Sequence, residues 1–187
     1  SSDVCSSDLI SPIDFIPVYE KSGLISRLDR YIWEQAAAKL GEWKKAGINM
    51  SISVNISPKD FYYIDIFNTF AGLIKKYDIE PSNLKIEITE TTIMSDVPNL
   101  MGELEELRKA GFTLEMDDFG SGYSSLNTLK DINVDVLKVD MGFIKETKNV
   151  KKSRIILASV IKMAKELNLL IITEGVETEE QVDNLTK

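Results

Sequence analysis

The chain has 187 residues, 43% hydrophobic and 28% charged, which is long and apolar enough for one folded domain and unlike a disordered segment. Its net charge of -8 sets the overall field against a polyanion such as duplex DNA, and stretches such as Leu169 to Ile172 fall far short of the roughly 20 apolar residues that span a bilayer. The absence of histidine removes Ser-His-Asp hydrolysis, Cys-His chemistry and His-ligated zinc together, leaving acid-base work to carboxylates, lysine or metal-bound water.

The first nine residues, SSDVCSSDL, repeat SSD around Val4 and Cys5 and follow neither helical nor strand spacing. They read as a non-native leader, 1–9, ahead of a partial domain, 10–187. Cys5 has no internal disulfide partner, as expected of a reducing, cytoplasmic setting. Ile25, Leu28, Ile32, Ala36, Leu40 and Trp43 then recur at helical spacing, and Gly47 ends that helix. From Met50 to Ile56 apolar residues alternate with Ser51, Ser53 and Asn55, the pattern of a strand. A helix is expected over Phe61 to Tyr77, broken by Pro81-Ser82-Asn83, and a second strand over Leu84 to Thr89. A helix from about Val97 to Ala110 leads to a third strand, Phe112 to Met116, and a Gly-rich turn to a helix near Ser124 to Lys130. Val134 to Val139 makes a fourth strand, Lys152 to Leu167 a long helix, Leu169 to Thr173 a fifth strand, and a last helix starts near Thr178.

Strands alternating with amphipathic helices make an α/β chain with a parallel sheet. Length alone favours an open doubly wound sheet over a closed barrel of about 250 residues. The polar residues point the other way. Successive strands finish on Asn55, on Glu87 and Glu90, on Asp117 and Asp118, on Lys138 and Asp140, and on Glu174 and Glu177. In a barrel these ends ring one cavity, whereas an open sheet gathers ligands mainly at one switch point. The expected architecture is therefore an incomplete TIM-type (β/α) barrel with about five βα units.

A single acidic residue after a strand is more often a helix cap than a ligand. Five strand ends in succession are not explained that way. Hard oxygen donors suit Mg²⁺ or Mn²⁺, and two such ions can activate water and stabilise a departing oxygen in phosphodiester cleavage. Lys138, set among aliphatics, needs a carboxylate or phosphate partner to offset its burial. The same argument predicts that Lys85 and Glu115, each two residues before a strand-end acid and both facing inward, pair with each other. In DDFGSGYSSL, Gly120 and Gly122 allow a tight turn and close approach of a ligand.

The segments SPIDFIPVYEKSGLI, LDRYIWEQA, SVNIS, EITE, DDFGSGYSSL, VDVLKVD and TEGVET resemble, in order and spacing, the EAL domain of cyclic di-GMP phosphodiesterases. The resemblance implies metal ligation by Asn55, Glu87, Asp117, Asp118 and Glu174, with two Mg²⁺ or Mn²⁺ ions. It implies catalytic roles for Lys138, Glu174 and Asp118, a loop-steadying role for Glu90, and substrate contact by Gly120, Ser121, Gly122 and Tyr123. The reaction implied is hydrolysis of cyclic di-GMP to pGpG.

The tripeptide that names the family would precede Ile10, and the closing strands would follow Lys187. The expectation is thus an inactive 187-residue piece of an active parent domain. The parent is expected to carry sensor or cyclase domains, to be compatible with a membrane anchor elsewhere, and to dimerise through the region after DDFG. This segment itself has no expected membrane contact and no nucleic-acid polymer partner. A receptor that binds cyclic di-GMP without cleaving it is the main alternative. A lyase of the enolase kind shares only the strand-end carboxylates and a lysine base.

Overall fold

A computed structural model describes residues 10–120, 129–130, 132–140, 150–176, 179 and 182 of the chain. In chain order the helices and strands are α1 (Pro12–Ser22), α2 (Ile25–Lys45), β1 (Ile52–Asn55), α3 (Asp60–Tyr63), α4 (Ile66–Tyr77), β2 (Leu84–Thr89), α5 (Glu90–Ile93), α6 (Leu100–Lys109), β3 (Leu114–Asp117), β4 (Val136–Asp140), α7 (Val150–Glu166) and β5 (Leu170–Glu174). A 3₁₀ turn, Pro81–Asn83, precedes β2. All strand pairings are parallel and the order is β1-β2-β3-β4-β5. A doubly wound sheet reverses direction at a switch point; this sheet adds each strand beside the last, as a barrel wall does. Among the described residues β1 and β5 remain unpaired edges, so the wall is open.

Neighbours in register on parallel strands point to the same side of the sheet. Asn55 lies beside Glu87, Glu87 beside Glu115, and Asp140 beside Glu174. One face therefore gathers the polar residues. The other carries Leu84, Ile86, Ile88, Leu114, Met116 and Leu137, all fully buried.

The helices cover that apolar face because their own periods match it. On α4, Ile66, Phe70 and Leu73 are buried at i, i+4 and i+7, and on α6 Leu100, Leu104 and Leu107 repeat the spacing. Trp33 of α2 meets Phe70 with ring centroids 4.9 Å apart, and Phe70 meets Phe112 edge-on at 5.7 Å. Each such side chain contributes about 1.5–3 kcal/mol through burial. Gly41 lets α2 and α4 approach, since a Cβ there would stand 2.9 Å from the Tyr77 carbonyl oxygen.

The expected helix over Phe61 to Tyr77 is two helices. Asp65 interrupts it, because its carboxylate accepts from the Asn68 backbone N–H at 3.0 Å and caps α4 instead of continuing α3. The expected helix near Ser124 lies outside the described residues except for 129–130, as does that near Thr178 except for 179 and 182. Among the described residues no helix is long and apolar enough to cross a membrane.

Candidate active site

Lys138 rises from the middle of β4 onto the polar face, flanked by β2 and β3 on one side and β5 on the other. Its ammonium donates to Glu87 Oε1 at 2.6 Å and to Glu174 Oε1 at 2.7 Å, and stands 3.3 Å from Asp117 Oδ1. Asn55 closes the group from β1, its Nδ2 donating to Glu87 Oε2 at 3.3 Å. Four of the predicted strand ends thus converge on a fifth.

The charges in this group shift one another. Burial raises the pKa of Glu87; the Lys138 ammonium opposes that rise, and the Asp117 and Glu115 charges add to it, leaving the pKa above the usual carboxylate value. For Lys138 burial works against the charge, but hydrogen bonds to Glu174 and Glu87 and the charges of Glu87 and Asp117 outweigh it. Lys138 therefore stays an ammonium and acts as a donor. Asp118 is raised by burial and then by Asp117, Asp140 and Glu174, which places it in the same anionic field.

The turn after β3 is fixed by its backbone. Asp118 adopts φ 56° and its N–H donates to Asp117 Oδ1 at 3.0 Å; Asp tolerates this left-handed conformation better than most residues. Phe119 is buried, and its N–H donates to the Lys138 carbonyl at 3.2 Å, tying the turn to β4. Gly120 takes φ 98°, where a side chain would be strained. Ser121, Gly122 and Tyr123 lie outside the described residues. Glu90 is buried as the first residue of α5.

Beneath the strand ends, the predicted pair is present: Lys85 Nζ donates to Glu115 Oε1 at 2.9 Å. Sequence reasoning missed its third member, Ser53, whose hydroxyl donates to Glu115 Oε2 at 2.8 Å. It also missed Trp33, whose indole N–H donates to the Asn55 carbonyl at 2.9 Å and anchors the end of β1. The available signal was that a buried Trp needs an acceptor.

The donor set fits a hard divalent cation. Asn55, Glu87, Asp117, Asp118 and Glu174 offer oxygen; burial, and after it the neighbouring carboxylate charges, raise Glu87 and Asp118, and a bound cation would relieve that crowding of charge. Among the described residues no three such side chains form a ready cage, and the Lys138 ammonium stands where three carboxylates meet.

Comparison with known proteins points the same way. A family model described as EAL domain matches residues 6–187. The bifunctional diguanylate cyclase/cyclic di-GMP phosphodiesterase MucR of Pseudomonas aeruginosa is 36% identical over 180 residues, covering 96% of this chain and 26% of that protein. The chain spans about a quarter of the length of such curated relatives. A solved structure of PaMucR phosphodiesterase in complex with c-di-GMP superposes with a TM-score of 0.87 at 35% identity, covering 97% of this chain and 74% of that one. A Klebsiella pneumoniae BlrP1 complex with manganese and cyclic di-GMP gives 0.74 at 28% identity, covering 86% and 41%.

Proposed function

Because this chain belongs to the EAL domain family, we propose that its polar strand ends serve the metal-dependent hydrolysis of cyclic di-GMP to linear pGpG. The observation that carries the reading is the convergence of Glu87, Asp117 and Glu174 on Lys138 at the C-terminal ends of successive parallel strands, where barrel enzymes hold their substrates. The similarity to PaMucR and BlrP1, both described with cyclic di-GMP, supports the choice of substrate.

In this reading Asn55, Glu87, Asp117, Asp118 and Glu174 would hold two Mg²⁺ or Mn²⁺ ions. Bound divalent ions supply a nucleophilic water at neutral pH and offset charge on the phosphate. Lys138 stays protonated; it orients Glu87 and Glu174 and donates to the attacking oxygen. In this reading Glu174, whose side chain is half-exposed, would accept the proton of the attacking water. Asp118, whose proton affinity burial and the neighbouring carboxylates raise, would be held deprotonated by a bound cation and act there as a ligand. Glu90 steadies the turn after β3, and Gly120, Ser121, Gly122 and Tyr123 border the nucleotide. A cytoplasmic setting, pairing of two copies, and sensor or cyclase domains in the same protein belong to the same proposal.

The test is product analysis by chromatography on the native protein incubated with cyclic di-GMP. Mg²⁺ or Mn²⁺ should give pGpG, EDTA should stop it, and Glu87→Gln should lower turnover at least about a hundredfold. Metal-dependent binding of cyclic di-GMP with no pGpG at any enzyme concentration would replace the phosphodiesterase with a receptor.

A further inference from the structure

We propose that Trp33 is a positioning residue of the candidate metal site: its indole N–H fixes the Asn55 main chain and so presents the Asn55 side-chain oxygen to a divalent cation. The inference rests on the metal-site reading above and deepens it.

Asn55 ends β1 as an exposed residue, so packing alone does not set its side chain. Among the described residues β1 is paired on one side only. Successive residues of a parallel strand turn their backbone groups to opposite sides. The Ile56 N–H donates to the Glu87 carbonyl at 3.0 Å, toward β2, so the Asn55 carbonyl faces the unpaired side. There the Trp33 indole N–H donates to it at 2.9 Å, in the role that a neighbouring strand plays elsewhere in the sheet. Asn55 has a second tether, the Nδ2 bond to Glu87 Oε2 at 3.3 Å. That tether ends on a carboxylate oxygen that a bound cation would claim. The Trp33 bond ends on the main chain and leaves both side chains free to ligate.

Trp33 serves as a fixed point because it is itself held. It is fully buried, its ring lies 4.9 Å from that of Phe70, and Phe70 meets Phe112 at 5.7 Å, so one aromatic cluster joins α2, α4 and the approach to β3. Packing alone does not call for an indole, since a phenyl ring also buries well. What Trp adds is a directional N–H, and here it is aimed at the last residue of a strand whose side chain faces the site. Partners that orient a metal ligand are typically worth about 10–100-fold in affinity; Trp33 acts through the main chain, so the lower end, about tenfold, is expected.

The test is Mn²⁺ binding to the purified chain, read from the loss of the free-ion electron paramagnetic resonance signal, with folding checked by circular dichroism. Benzothienylalanine in place of Trp33 keeps the bicyclic ring and exchanges only the N–H for sulfur. Phe70→Leu is the control, because it loosens the same aromatic cluster and leaves the indole N–H and its acceptor in place. The benzothienyl variant should bind Mn²⁺ about tenfold more weakly than the unaltered chain, and Phe70→Leu should bind like the unaltered chain. Unchanged affinity without the N–H, or an equal loss in Phe70→Leu, would overturn the proposal, since a purely structural Trp33 predicts one or the other. Should the benzothienyl variant unfold, Trp33→Phe decides by the same criteria. Failure of the unaltered chain to bind Mn²⁺ would instead remove the metal-site reading on which the inference stands.

Discussion

Replacing Lys138 by methionine asks whether one ammonium holds the site's carboxylates together. The substitution roughly preserves volume and removes three contacts, at 2.6, 2.7 and 3.3 Å. Loss of one partner from a buried ion pair costs about 3–5 kcal/mol. The Glu174 contact counts for less, because that side chain is 45% exposed and solvent screens it. Glu87 and Asp117 carry most of the effect, so a loss near the lower end, about 3 kcal/mol, is expected at pH 8. Without the ammonium, Glu87 is left with burial and the Asp117 and Glu115 charges, all of which raise its pKa in the folded state. The folded variant then binds more protons than the unfolded chain, so its stability falls as pH rises and the deficit is smaller at pH 5. Urea unfolding followed by tryptophan fluorescence in EDTA measures both. Equal midpoints for variant and unaltered chain at pH 8 would mean that the ammonium does not hold these carboxylates together.

Phe70→Ala removes the ring between Trp33 and Phe112 and should cost about 3–5 kcal/mol in urea unfolding, far more than a surface substitution. Gly41→Ala, forced against the Tyr77 carbonyl, should destabilise by about 1–3 kcal/mol in the same assay. Asp29 on α2 is pushed up to about 7 by burial, by the neighbouring Asp60 carboxylate at the start of α3, and by the charge of Glu20. Its folded pKa lies above the unfolded value near 4, so its contribution to stability is full at acidic pH and is lost as pH climbs toward 7. Asp29→Asn should therefore flatten stability against pH between about 4 and 7; an unchanged slope would contradict the Asp29–Asp60 contact.

The sheet was readable because period-two alternation and strand-end chemistry agree. β2 matches its expected bounds, Leu84 to Thr89. The other strands begin one or two residues later than expected, since Met50, Phe112 and Val134 extend the apolar pattern without joining the ladder. β3, β4 and β5 run on to include Asp117, Asp140 and Glu174, polar residues that periodicity alone assigns to loops. Helix α5, four residues long, is too short to show a period, and Thr89 capping it through the Thr92 N–H is the only local sign. Lys85 and Glu115 could be paired from the cost of burying either alone. Asp29 and Asp60 could not, because what joins them is the packing of α2 on α3, and neither belongs to a strand.

Whether the strand ends form a divalent-ion site that holds cyclic di-GMP is decided by anomalous diffraction at the manganese edge, from crystals of the native protein grown with Mn²⁺ and cyclic di-GMP. Manganese peaks are expected within bonding distance of Asn55, Glu87 and Asp117, with a phosphate of the nucleotide against them. Nucleotide bound at another face, or manganese absent from these side chains while cyclic di-GMP is present, would contradict it.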